Sequence, residues 1–195
     1  MFESRRSRWL FLMLEFACIP VALALGWLVD VDPRATLTWT PRAVGFGVAA
    51  ALPAWLLVVA FHRLRPGPLE PMMRLVDELL VPAFARWTVG ELLMVSLLAG
   101  VGEELLFRGV LQPALAGPLG WCWALIVASL VFGLVHALSV SYAVFATLMG
   151  VWLGVLWIAS GNLLVPIVAH AAYDFLTLVY LRRGKAVSDD FAGGA

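Results

Sequence analysis

The chain is 195 residues long, 63% hydrophobic and 13% charged, with zero net charge from 13 basic and 13 acidic side chains. Soluble domains carry roughly a quarter charged residues, so a mean hydropathy of +0.95 excludes an ordinary water-soluble globule and implies an integral membrane protein. No basic run is dense enough to bind nucleic acid, and Cys18 and Cys122 sit in apolar stretches, where they read as small buried side chains rather than a disulfide or a metal pair.

The first apolar stretch, Trp9 to Val29, follows Arg5, Arg6 and Arg8. It is long for the apolar core of a signal peptide and is expected to stay as an uncleaved anchor. Glu15 within it has no partner nearby in sequence and is expected to be structural or interfacial. A second stretch, Ala43 to Phe61, ends at His62 and Arg63, where His62 reads as an interface residue. Next come Pro66, Gly67, Pro68 and Pro71, then Met72, Val76, Leu79 and Leu80 opposite Arg74, Asp77 and Glu78. That pattern predicts a short amphipathic helix on the membrane surface.

Four more stretches follow: Val89 to Leu111, Trp121 to Leu138, Tyr142 to Ala159 and Leu163 to Leu181. Each suits a hydrocarbon core of about 30 Å. The predicted fold is an all-α polytopic transmembrane bundle of about six spans in a single domain. Two spans and the surface helix occupy 1–87, a four-helix catalytic core occupies 88–183, and 184–195 form a disordered tail. Trp9, Trp87 and Trp121 read as interfacial anchors. With both termini on the cytoplasmic side, ten Lys and Arg residues face inward against Arg34 and Arg42 outside, the bias expected of cytoplasmic loops.

The third span is the anomalous one, because it contains Glu103, Glu104 and Arg108. Each charge near a bilayer centre costs roughly 2.5–3.5 kcal/mol, whereas each Leu, Val or Phe returns about 0.3–0.6. The eleven such residues from Leu92 to Leu111 therefore return about 5 kcal/mol against roughly 7–10. The segment needs neighbours or a wet cavity, and ionisable groups of this kind read as functional. Glu91 at its start is expected to be structural or interfacial.

Three pairs spaced by four residues each share one helical face: Glu104 with Arg108, Phe132 with His136, and His170 with Asp174. Arg108 is expected to hold Glu104, leaving Glu103 to turn elsewhere. A partly desolvated Glu103 suits a general base. His136 can share its water and pass a proton to a leaving amine, while His170 donates to an oxyanion with Asp174 orienting it.

These motifs, Glu103-Glu104-Leu-Leu-Phe-Arg108, Phe132-Gly-Leu-Val-His136 and His170-Ala-Ala-Tyr-Asp174, resemble those of the CPBP intramembrane proteases, which include the type II CAAX prenyl proteases and abortive-infection relatives. The resemblance covers Val89 to Leu181. It implies an endopeptidase in which Glu103 and His136 activate water and His170 and Asp174 serve the oxyanion, with Glu104, Arg108 and Phe132 in support. The last motif departs from the family in ending on Asp174 in place of the prenyl proteases' Asn, and an ionised carboxylate cannot donate to an oxyanion. Asp174 therefore reads as an orienting partner or metal ligand.

Glu103, His136 and His170 also have the chemistry of a zinc set, although no His-Glu-x-x-His helix is present. The preferred reading needs no metal. The implied partners are a membrane-anchored peptide or protein substrate and the lipid bilayer, in a bacterial plasma membrane. A proton- or ion-relaying transporter and a non-catalytic scaffold or immunity protein are the rival classes. One conflict is visible in advance. On straight helices Glu103 and His136 differ in depth by more than about 10 Å, and Gly100, Gly102 and Gly109 are expected to relieve it through a kink or close packing.

Overall fold

The computed structural model describes residues 5–192, with side chains from 6 to 183. It contains seven helices and no strand among the described residues. They are α1 (Arg5–Leu28), α2 (Pro41–Leu64), α3 (residues 70–84), α4 (residues 89–119), α5 (Trp121–Val135), α6 (Val140–Ser160) and α7 (Leu164–Ala192). The side chains of 184–195, where disorder was expected, lie outside the described residues; the α7 backbone is helical as far as Ala192.

Local chemistry explains the helix ends. Thr40 caps α2 by accepting from the Ala43 N–H, with Pro41 in the first turn. Thr88 and Glu91 form a capping box at the start of α4, and Ser139 caps α6. Gly161, at φ 63°, closes α6 in the left-handed conformation that glycine adopts without a Cβ penalty.

Four helices are long and apolar enough to cross a membrane: Arg6–Leu28, Pro41–Leu64, Val140–Ser160 and Leu164–Arg183. Thus two of the six expected spans are atypical. Helix α4 carries the charged cluster, and α5 has 15 residues, about 22 Å at 1.5 Å per residue. Helix α4 also runs past the expected end at Leu111 to Leu119. The close packing expected at the glycines is present, with Gly100 against Ala171, Gly102 against Glu15 and Gly109 against Pro33, and a π-helical segment, Leu105–Leu111, follows the glutamates. The wider segment ends just before Pro113, where an uninterrupted α-helix would lose a hydrogen bond.

Helix α7 is the central strut, packing on α2, α4 and α6; α1 lies along α4, and α5 pairs with α6. Small residues set these distances. A Cβ on Gly100 would stand 2.9 Å from the Ala171 amide nitrogen, and one on Gly133 would stand 2.6 Å from the Ala143 carbonyl oxygen. The backbones therefore approach closely, as they do in small-residue helix interfaces. Helix α3 buries Met72, Met73 and Val76 while Leu79 is exposed, so its covered face is narrower than predicted. Two other expectations need correction. Trp87 is 2% exposed, packed with Phe84 and Phe11 rather than anchoring at an interface, and Cys122 is exposed rather than buried.

Candidate active site

Helix α4 presents its two adjacent glutamates to different neighbours, as their roughly 100° separation requires. Glu104 is fully buried and its Oε1 accepts from Arg108 Nη1 at 2.8 Å and from His170 Nδ1 at 2.9 Å. The second Arg108 arm donates to the Gly150 carbonyl on α6 at 2.7 Å. One ion pair thereby joins α4, α6 and α7. On the carboxylate side the pair is engaged through Oε1 alone, for Glu104 Oε2 is buried without a hydrogen-bond partner.

Glu103 turns the other way, 7% exposed, with Oε1 3.5 Å from His136 Nε2. The expected depth conflict disappears because α4 runs on to Leu119 and turns at Gly120 directly into α5, so that Glu103 and His136 lie about equally far from the turn and their side chains meet. The His136 Nδ1 donates to the Phe132 carbonyl at 2.8 Å. In the neutral ring this bond fixes the tautomer and directs the Nε2 lone pair at the Glu103 side. Phe132 stacks on His136 with centroids 4.4 Å apart and lies 4.9 Å from the Arg108 guanidinium, a cation–π distance. It bridges the ion pair to the histidine.

His170 is held at both nitrogens. Glu104 takes Nδ1, and Asp174 Oδ2 stands 3.4 Å from Nε2. The stronger orienting contact thus comes from Glu104, beyond the role expected for it, while Asp174 flanks the opposite nitrogen. Glu103, His136, His170 and Asp174 all line one cavity of about 280 Å³. Leu80 and Phe84 of α3, Tyr142 and Phe145 of α6 and Phe11 of α1 contribute apolar wall.

Glu15 also lines this cavity and reaches the Glu103 side chain, contrary to the structural or interfacial part expected of it. Sequence spacing carried no signal, since the two residues are 88 positions apart. The contact depends on Gly102, where a Cβ would stand 2.7 Å from the Glu15 carbonyl oxygen. Glu91 does have the structural role expected, pairing with Arg8 at 2.8 Å. His62 is engaged rather than merely interfacial: it bonds Tyr180 at 3.1 Å and Asp77 at 2.9 Å.

The conditional zinc set does not fit this geometry. Both His170 nitrogens face carboxylates within their own shell, and among the described residues no group of three or more His, Cys, Asp or Glu side chains is arranged to hold a metal ion.

A family model described as "Type II CAAX prenyl endopeptidase Rce1-like" matches residues 85–176, which contain all three motifs. The chain is also similar to YpbD, an uncharacterized protein of Bacillus subtilis, with 30% identity over 177 residues and 87% of each chain covered. No solved structure matches it.

Proposed function

Because the chain belongs to the Rce1-like family of type II CAAX prenyl endopeptidases, we propose that it is an intramembrane endopeptidase that cuts a membrane-tethered peptide or protein with water activated by Glu103 and His136. The observation carrying this reading is their 3.5 Å approach at the wall of a cavity. One water can bridge atoms at that separation. Glu103 takes a proton as the water oxygen bonds to the scissile carbonyl carbon. His170, as an imidazolium whose Nδ1–H is held by Glu104, donates from Nε2 to the developing oxyanion. His136 relays the proton to the leaving amine as the C–N bond breaks.

No step in this reading uses a metal, since a paired carboxylate and imidazole already supply general acid–base chemistry. Binding the substrate's anchor in lipid leaves only the short segment beside it to enter the cavity, beneath Leu80 and Phe84. The charge bias supports a plasma-membrane protein with both termini cytoplasmic, so that α3 lies on the cytoplasmic side. A site confined to one cavity also favours hydrolysis over the transporter reading, for which a relay would have to continue to both faces.

Substrate trapping tests the proposal. Full-length Glu103→Ala protein, expressed in a strain lacking the wild-type chain, should retain by cross-linking a membrane-tethered protein that wild type converts to a shorter form. If wild type and variant leave the same membrane proteome, with no cleaved species separating them, the proposal fails.

A further inference from the structure

We propose that Glu15 is a positioning residue for Glu103: the two carboxyls share one proton, and Glu15 donates through it to the Glu103 oxygen that does not face His136. This inference rests on the hydrolase reading but concerns a residue well outside the matched region, 85–176.

Three observations converge on Glu15. Its side chain meets that of Glu103 at the cavity wall. Glu103 Oε2 is buried with no hydrogen-bond donor, although buried polar atoms nearly always find one. Gly102 lets the α1 backbone close on α4 at this level. Two ionised carboxylates offer only acceptors, so their contact satisfies the orphan oxygen only with a proton between them. The charged and titratable groups facing Glu15 are Cys18 on α1, Glu103 on α4 and His170 and Asp174 on α7; no lysine or arginine is among these neighbours.

The division of labour is then complete. Glu103 Oε1 faces His136 and the water, while Oε2 is anchored by Glu15, which fixes the carboxylate plane. Loss of a hydrogen bond to a charged group corresponds to about a ten- to hundredfold rate effect.

The test compares Glu15→Gln, which keeps a donor, with Glu15→Leu, which has none, in full-length protein in lipid nanodiscs. Infrared spectra at neutral pH should show a protonated-carboxyl stretch that Glu15→Gln abolishes and Glu103→Gln shifts. In cleavage of the trapped substrate, Glu15→Leu should lower kcat about ten- to hundredfold with little change in KM, and Glu15→Gln should restore most of it. A band that survives Glu15→Gln overturns the proposal, as does a Gln variant no better than Leu. The infrared readout needs no substrate, so the band without any cleavage counts against the protease reading and leaves the proton pair standing.

Discussion

Arg108 is 1% exposed beside the fully buried Glu104, and its two arms serve different helices. Removing it strands Glu104 as an uncompensated buried carboxylate and frees the Gly150 carbonyl. Arg108→Leu should therefore lower stability by about 3–5 kcal/mol, measured by denaturant unfolding in detergent. Arg108→Lys should recover only part of this, because an ammonium cannot reproduce the forked geometry. At this scale the sequence was informative wherever partners share a helix. Glu104 with Arg108 and His170 with Asp174 follow from a spacing of four. Glu104 with His170, Arg108 with Gly150 and Glu15 with Glu103 join separate helices, and a local pattern contains nothing that encodes them.

Among the elements, the two that depart from regular spanning helices, α4 and α5, both supply the site, together with α7. A π-helical segment follows directly after the paired glutamates of α4, and the turn at Gly120, beyond the end expected for α4, returns α5 so that His136 comes to their level. The apolar length of the chain there was legible. The early stop at Val135 was not, because the turn that follows, Ala137 and Leu138, is itself apolar and prolongs the hydropathy signal. Glycine substitutions separate close packing from mere helical weakness. Gly100→Ala must push against the Ala171 backbone and should cost about 1–3 kcal/mol. Gly45→Ala meets nothing within 4 Å and should stabilise by roughly 0.5–1 kcal/mol. Paired unfolding curves in the same detergent check both.

Across the whole molecule, the surface helix is tied down outside the bundle by Asp77, which accepts from His62 and Arg65. Burial alone would raise the Asp77 carboxyl, but those two bonds hold it below the ordinary value of 3.8. A folded value below the unfolded one means that this tie contributes fully above about pH 4 and is lost as pH falls beneath it. Hydrogen exchange of residues 70–84, corrected for intrinsic rate, should accelerate at that acid step, and Asp77→Asn should show the faster exchange already at neutral pH. The proposed topology makes a further claim. A cysteine introduced at Arg42 should react with an impermeant thiol reagent in intact cells, whereas one at Arg74 should react only after lysis; the opposite pattern inverts the orientation.

The claim on which these parts depend is hydrolysis by water held between Glu103 and His136. Purified full-length protein, reconstituted in vesicles with a library of lipid-anchored peptides in water enriched in heavy oxygen, tests it directly by mass spectrometry. Wild type should yield a shortened peptide whose new carboxyl carries one solvent oxygen, and Glu103→Gln, with an unchanged unfolding midpoint, should yield none. Equal cleavage by the Gln variant, or no solvent oxygen in the wild-type product, contradicts the account.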